Sequence, residues 1–242
     1  MTVDVTVARA RRPQEQLRDI LADGQSRFGD DADPLELLRW FGSALGVDAI
    51  AVAVSFSDGV MACLGAKALP GVDLLFAETG YHFAETLGLR DAVAAMYPVR
   101  VRSLRPDLTV AEQDHRYGER LWERDPDACC AMRKTAPMDA ALRGYDAWAT
   151  GLRRSDHAGR AETPLLAWDE KHAMIKINPI AAFTDEDLDA CIAEHSIMEN
   201  PLRQIGYRSI GCSPCTRPVT DGEGERSGRW AGRTKVECGL HL

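Results

Sequence analysis

The chain has 242 residues, of which 45% are hydrophobic, and its formal net charge is −8. That length and composition suffice for one α/β domain with a full core, followed by a tail. The acidic balance disfavours a general nucleic-acid-binding surface. Because the first residues lack a secretion signal and no apolar run is long enough to span a membrane, we expect a cytoplasmic protein with no membrane segment.

The N-terminal region predicts an arm followed by one surface helix. Residues 1–33 are polar and show only a weak helical stretch between residues 15 and 21. From Pro34 onward, apolar residues recur at helical spacing. We therefore divide the chain into an N-terminal arm and helix over residues 1–45, an α/β domain over residues 46–218, and a flexible tail over residues 219–242.

The middle of the chain alternates apolar strands with helices. A short continuous apolar run is typical of a strand covered on both faces, so the alternation predicts an α/β fold with a mostly parallel, twisted sheet flanked by helices. Ligands bind such sheets at the carboxyl ends of the strands. The predicted strands are residues 49–54, 72–76, 99–103, 144–151, 165–168 and 174–177, and the predicted helices are residues 60–69, 81–96, 127–142 and one that begins at Thr184.

The loop after the first strand predicts an anion site. It reads Ser55-Phe-Ser57-Asp-Gly59 and leads into a helix, so its backbone N–H groups and the positive end of the helix dipole favour a phosphate. The alternative is an ordinary strand-to-helix turn. Thr79 follows the second strand, and we expect its hydroxyl to converge with Ser55 and Ser57 at the same sheet edge, although it could equally cap the next helix.

Four of the seven cysteines form two pairs, Cys129-Cys130 and Cys212-Ser-Pro-Cys215. An odd cysteine count without a secretion signal disfavours a disulfide framework and favours metal or redox chemistry. Four thiolates match either a tetrahedral zinc ion or an iron–sulfur cluster. Adjacent cysteines on one helix point about 100° apart, which suits the several iron corners of a cluster better than one zinc ion.

The C-terminal region is basic although the protein is acidic. Residues 201–242 contain seven Arg and Lys against four Asp and Glu, and they include Cys238. This composition favours a local anion site over a solvated mixed tail. A free thiol has a pKa of about 8.5, so neighbouring cations would assist a cysteine nucleophile as well as an anionic substrate. The candidate cations are Arg226, Arg229, Lys235 and His241.

Three segments carry a family resemblance: Asp127-Ala-Cys-Cys-Ala-Met-Arg-Lys134, Ile210-Gly-Cys-Ser-Pro-Cys-Thr-Arg-Pro218 and Glu237-Cys-Gly-Leu-His241. Together they resemble the adenylyl-sulfate (APS) reductases of sulfate assimilation, the iron–sulfur type within the phosphoadenylyl-sulfate (PAPS) reductase family. The resemblance implies an adenine nucleotide alpha-hydrolase-like fold and a thioredoxin-dependent reduction of APS to sulfite and AMP. It also implies a possible homo-oligomer and one [4Fe–4S] cluster, with a structural and electrostatic role, on Cys129, Cys130, Cys212 and Cys215.

The same resemblance implies roles for individual residues. Cys238 takes up the sulfonate as S-sulfocysteine, and thioredoxin attacks this intermediate to release sulfite. Lys134 lies four residues after Cys130, on the same side of the predicted helix. We assign it an electrostatic role, which it shares with Arg226, Arg229 and His241. The predicted substrate contacts are Ser55, Ser57, Thr79, Gly151, Arg160, Arg226 and Arg229.

Other functions remain open at this point. A PAPS reductase, or an enzyme that accepts both substrates, shares the same fold and terminal nucleophile. The loop at residues 55–59 resembles the pyrophosphate loop of N-type ATP pyrophosphatases but has one glycine, so an ATP-dependent tRNA-thiolation enzyme is a less favoured alternative. A non-enzymatic iron–sulfur redox sensor would have no need for Cys238.

Overall fold

The computed structural model describes residues 10–220, 222–235 and 237–240. None of the helices in these ranges is long and apolar enough to cross a membrane. The strands are β1 Ile50–Val54, β2 Asp73–Ala77, β3 Arg100–Leu104, β4 Ala147–Ala149, β5 Leu166–Asp169 and β6 Met174–Ile177. The α-helices are α1 Gln14–Arg27, α2 Pro34–Leu45, α3 Val60–Ala68, α4 Ala84–Met96, α5 Val110–Tyr117, α6 Leu121–Arg124, α7 Pro126–Cys130, α8 Ala136–Leu142 and α9 Asp185–His195.

The six strands form one sheet in the order β3-β2-β1-β4-β6-β5. All neighbouring strands pair in parallel except β5, which joins β6 antiparallel at the edge. The predicted mostly parallel sheet is thus confirmed. Because the order runs outward from β1 in one direction and from β4 in the other, the crevice at the carboxyl ends of these two strands is the topological switch point, where open α/β sheets bind ligands.

Helices cover both faces of this sheet because side chains of a strand alternate between its faces. Ile50 and Val52 of β1 belong to a large core that includes Leu64 of α3. Ala51 points the other way and belongs to a smaller core with Met138 of α8. This two-sided burial explains why β1 has a continuous apolar sequence instead of an alternating one.

Helix α1 is longer than the weak helical stretch that the sequence predicts. Leu17 and Leu21 are buried, and they lie in the same core as α2 and the sheet. The last turns of α1 are polar, so no apolar periodicity marks them. Helix α2 begins as predicted, because Pro34 occupies its first turn and the Asp33 carboxylate accepts a hydrogen bond from Glu36 N at 2.8 Å.

A buried carboxylate connects the N-terminal segment to the sheet, and its loss should destabilise the fold. Asp146 is fully buried, and its oxygens accept hydrogen bonds from Arg12 N at 3.1 Å and Arg12 Nη1 at 2.7 Å. Asp146→Ala leaves the guanidinium without this partner, so we expect the free energy of unfolding in urea to fall by about 3 kcal/mol. Glu170→Gln is the control, because Glu170 pairs with Arg18 at an exposed site and should change that free energy by less than about 0.5 kcal/mol. Equal effects of the two variants would contradict this expectation.

Two features between β3 and β4 are absent from the sequence prediction. Helix α5 has no apolar stripe, but Thr109 and Glu112 form a reciprocal capping box that fixes its first turn. The predicted helix over residues 127–142 is present, yet a π-helical turn at Ala131–Thr135 interrupts it directly after the paired cysteines. π-Helical turns often occur at functional sites, and this one carries Lys134.

Candidate active site

A cleft opens at the carboxyl ends of β1 and β4, at the switch point of the sheet. It is a cavity of about 210 Å³ that opens to solvent, at the place where α/β sheets bind small-molecule ligands. Most of the predicted site residues meet there, although they come from distant parts of the chain. The predicted residues that line the cleft are Ser55, Ser57, Lys134, Gly151, Arg160, Arg226, Arg229 and Cys238.

The loop at residues 55–59 is held in a strained conformation by distant residues. Phe56 has a φ of 54°, a left-handed value that is uncommon for residues other than glycine. Its ring packs edge-on against Phe76, with centroids 5.1 Å apart, and its carbonyl accepts a hydrogen bond from Asn200 Nδ2 at 2.9 Å. The loop therefore obtains its turn from packing and a buried amide, and nothing in the sequence around Asn200 indicates this role.

The same loop is tied to the segment that carries the second cysteine pair. The Ser57 hydroxyl accepts a hydrogen bond from Ile210 N at 3.2 Å, while Ser55 is exposed. On the opposite wall, Gly151 follows β4, and a Cβ there would lie only 2.9 Å from Met61 Cγ. The predicted positions of these three residues in the cleft are thus explained by the sheet topology and by close packing.

Arginines from two separate segments form the basic wall of the cleft. Arg160 ends a short 3₁₀ turn at Ala158–Arg160, whereas Arg226 and Arg229 come from the tail. Arg226 Nη1 and Arg229 Nη1 each donate to Ser209 Oγ at 3.4 Å. Burial lowers the pKa of Arg226 to about 10, with Arg229 and Arg160 acting in the same direction and Glu237 opposing them. This wall is therefore crowded with positive charge and suited to an anion.

Glu237 places a carboxylate of the tail on this basic wall. Its Oε2 accepts hydrogen bonds from Arg160 Nε at 2.9 Å and Arg160 Nη2 at 2.6 Å. Its Oε1 accepts from Arg226 Nη2 at 3.2 Å, and His157 Nε2 lies 3.3 Å from Oε2. Burial opposes ionisation, but Arg226 and Arg160 outweigh it and lower the pKa of Glu237 to about 2. Neither Glu237 nor His157 is among the predicted site residues, although Glu237 precedes Cys238 in the terminal motif.

Cys238 is held half-buried in the cleft by its neighbours in the tail. Its backbone N–H donates to Glu237 Oε1 at 3.2 Å. Two residues later, Leu240 packs against the smaller core that contains Met138 and Trp148. The thiol is thus positioned by an ion-pair network on one side and by an apolar contact on the other.

Lys134 lies between the cleft and the cysteine pairs and lines both spaces. Burial lowers the pKa of its ammonium group, but the negative charges that Cys212, Cys238 and Cys130 carry as thiolates outweigh burial and raise this pKa above its ordinary value. The ammonium therefore stays protonated at neutral pH. It lies between Cys238 and the cysteine pairs, and its electrostatic role stays a prediction.

The four paired cysteines line one small cavity beside the cleft. Burial, together with repulsion among the thiols, raises the pKa of Cys129 to about 12. Burial likewise raises the pKa of Cys130 to about 11, and that of Cys215 above its ordinary value. Cys129 is buried and the other three cysteines are half-buried, and such a cluster of thiols is a donor set that a cationic metal centre would stabilise. Within residues 10–220, 222–235 and 237–240, however, no three Cys, His, Asp or Glu side chains are arranged to hold a metal ion.

Thr79 lies at the cysteine cavity and not among the residues that line the cleft. Thr79 is fully buried in the cysteine cavity, and its Oγ1 lies 3.4 Å from Cys212 Sγ, so it does not converge with Ser55 and Ser57 in the cleft. Arg133 of the π-helical turn donates a hydrogen bond from Nε to Thr79 O, and this contact holds the turn after β2 beside the cysteine cavity. His241 lies outside the described residues, and its role stays a prediction.

Gly211 makes room for Arg229, which gives a test of the basic wall. A Cβ at Gly211 would overlap the Arg229 guanidinium. Because that group is the end of a flexible side chain, Gly211→Ala should leave the fold intact but displace Arg229. We therefore expect kcat/KM for the reduction of APS, the activity that the resemblance implies, to fall by roughly tenfold, which corresponds to the loss of one charge-assisted hydrogen bond. Gly88→Ala is the control, because a Cβ there would meet nothing within 4 Å. An unchanged kcat/KM for Gly211→Ala would mean that Arg229 is not needed in its present position.

Comparisons with known proteins show the family to which the chain belongs. Residues 49–218 match the phosphoadenosine phosphosulfate reductase domain. The adenosine 5'-phosphosulfate reductase of Streptomyces coelicolor is 51% identical over 98% of this chain and 100% of its own length. The enzyme of the same name from Mycolicibacterium smegmatis is 49% identical over 95% of this chain and 96% of its own length.

Two solved structures have a similar fold, and one of them is a phosphoadenylyl-sulfate reductase. The phosphoadenylyl-sulfate reductase of Candida auris, crystallised with phosphate, is 26% identical, has a TM-score of 0.68, and matches 87% of this chain and 99% of its own. The FMN adenylyltransferase of Candida glabrata, at 11% identity and a TM-score of 0.53 over 94% of this chain and 87% of its own, shares the fold alone. The chain belongs to the phosphoadenosine phosphosulfate reductase family and, within it, to the adenosine 5'-phosphosulfate reductases.

Proposed function

We propose that this protein reduces APS to sulfite and AMP, with Cys238 as the nucleophile and thioredoxin as the reductant. The observation that carries the proposal is the placement of a terminal thiol in a cleft whose wall contains Lys134, Arg160, Arg226 and Arg229. A thiolate and a nucleotide anion both need such positive charge, because each must be stabilised as an anion. The names of the close relatives support this substrate.

The reaction proceeds in two nucleophilic displacements. The Cys238 thiolate attacks the sulfate sulfur of APS and forms an S–S bond, while the bond between that sulfur and the bridging oxygen breaks and AMP leaves with the electron pair. The product on the protein is S-sulfocysteine. Lys134 and the arginines stabilise the negative charge that gathers on the leaving phosphate and on the sulfonate oxygens.

Thioredoxin completes the cycle. One of its thiolates attacks Cys238 Sγ, and sulfite leaves with the electron pair of the S–S bond, so a mixed disulfide links the two proteins. The second thioredoxin thiol then displaces Cys238 as a thiolate. The sulfur of APS has gained two electrons, and the thioredoxin dithiol has become a disulfide. Because Cys238 is half-buried, the tail must open for this second step.

Cys129, Cys130, Cys212 and Cys215 are the residues that would hold a [4Fe–4S] cluster. Bound there, the cluster would supply positive charge and a rigid connection between α7 and the 3₁₀ turn at Ser213–Cys215. The raised pKa values of Cys129, Cys130 and Cys215 support the assignment, because a metal centre would offset the cost of ionising these thiols together.

The test is a single turnover without reductant. Anaerobically purified protein is incubated with APS or with PAPS, and the release of AMP or 3',5'-ADP is measured together with the mass of the peptide that contains Cys238. An added sulfonate from APS alone supports the proposal. Equal adducts from both nucleotides would make the enzyme dual, an outcome favoured by its likeness to the PAPS reductase of Candida auris. No adduct from either, on protein that retains its iron, would contradict the reductase function.

A further inference from the structure

The C-terminal tail places the carboxylate of Glu237 in the cleft. The Glu237 side chain is only 10% exposed, and it contacts His157, Arg160 and Arg226 through both oxygens. The fork of Arg160 binds one oxygen with two N–H groups, and a guanidinium of this kind binds carboxylate, phosphate or sulfate oxygens in the same way. The lowered pKa of Glu237 shows that these cations hold it as a full negative charge.

The cations that hold Glu237 belong to the wall of the substrate cleft. Arg160, Arg226 and Glu237 all line the space that contains Ser57 and Cys238. An anionic group of a ligand in that space would meet the same guanidinium groups. Because Glu237 Oε1 also accepts the hydrogen bond from Cys238 N, the carboxylate connects the arginines directly to the backbone of the proposed nucleophile.

We propose that Glu237 is a latch that substrate displaces: its carboxylate occupies the oxyanion subsite formed by His157, Arg160 and Arg226, and a phosphate or sulfate group of the nucleotide must replace it there. This inference rests on the proposed function and adds a regulatory step to the same site. In the ligand-free protein the latch holds the tail over the cleft. When a nucleotide anion takes over the arginines, the tail loses this ionic attachment but keeps the contact of Leu240 with the smaller core, so Cys238 stays in the cleft for the attack on the bound substrate and the tail can open more easily for thioredoxin afterwards.

A latch of this kind should weaken the affinity for anions. A carboxylate attached to the same chain competes at a high effective concentration, and the competition scales with the charge that the ligand brings to the subsite. Removing the charge of Glu237 should therefore tighten the binding of a nucleotide with two anionic groups most, tighten AMP less, and leave adenosine unaffected.

The experiment measures the dissociation constants of ADP, AMP and adenosine by calorimetry. ADP is an unreactive probe whose second phosphate takes the place of the sulfate. For Glu237→Gln and Glu237→Ala we expect ADP to bind roughly tenfold more tightly than to the unmodified protein, the factor that corresponds to one charge-assisted hydrogen bond. Glu223→Gln is the matched control, since Glu223 pairs with Arg217 on the exposed part of the tail, and its ADP affinity should not change.

The outcomes separate the latch from the proposed function. Unchanged or weaker ADP binding in both Glu237 variants, with normal binding to the unmodified protein, would overturn the latch and indicate that Glu237 organises the arginines for the ligand. Tighter binding of adenosine by the same factor as ADP would also overturn it, because adenosine carries no anion to compete. Failure of every form to bind ADP would overturn the proposed function and the latch with it.

Discussion

Cys238→Ser is expected to abolish sulfonate transfer while leaving nucleotide binding intact. A serine hydroxyl is almost entirely protonated near neutral pH and is a much weaker nucleophile than a thiolate. We expect AMP release from APS in a single turnover to fall by at least about three orders of magnitude. The affinity for ADP should stay within about twofold of that of the unmodified protein, because the cations that bind the nucleotide are unchanged.

The control for Cys238→Ser removes a thiol elsewhere. Cys63 is buried in α3, away from the cleft, so Cys63→Ala should retain AMP release and the sulfonate mass on the Cys238 peptide. Iron content is measured in both variants to verify that the cysteine cavity is intact. Retained AMP release in Cys238→Ser would mean that another group attacks the sulfate, and would favour a role for the tail in binding alone.

The sheet was predictable from the sequence because its strands are short, apolar and separated by clear helices. The continuous apolar sequence of β1 follows from burial on both faces, and the position of the cleft follows from the strand order. Local sequence patterns do not show which distant residues contact each other. Asn200 holds Phe56 from 144 positions away, and no periodicity or spacing records that contact.

The candidate site was predictable in its residues more than in its arrangement. The motifs around Cys129, Cys212 and Cys238 indicated the family to which the chain belongs, but they do not show which side chains face each other. Thr79 shows the difference, since its position after β2 suggests the cleft while the π-helical turn draws it into the cysteine cavity. Glu237 shows the converse, because it looks like an ordinary acidic neighbour of Cys238 until Arg160, 77 positions away, is seen to bind it.

Lys134→Ala is expected to keep the cysteine cavity but slow the reaction by tens to hundreds of fold. Lys134 is the cation that lines both the cleft and the cavity from the π-helical turn, and Cys238 and Cys212 both contribute to the raised pKa of its ammonium. Losing one desolvated, charge-assisted hydrogen bond removes about 1.5 to 3 kcal/mol of stabilisation. If that stabilisation acts mainly on the developing charge of the transition state, the rate of AMP release falls while ADP affinity falls much less.

Two further variants separate charge from shape at this position. Lys134→Met keeps the length of the side chain without its charge and should be as slow as Lys134→Ala, whereas Lys171→Ala removes an exposed lysine that pairs with Asp139 and should react normally. Iron content and the visible absorption of the purified proteins report on the cysteine cavity independently of turnover. A normal single-turnover rate in Lys134→Ala would remove Lys134 from the mechanism. An equal loss of iron and of rate would instead make it a structural residue of the cavity, because its charge would then act on the cysteines before it acts on the substrate.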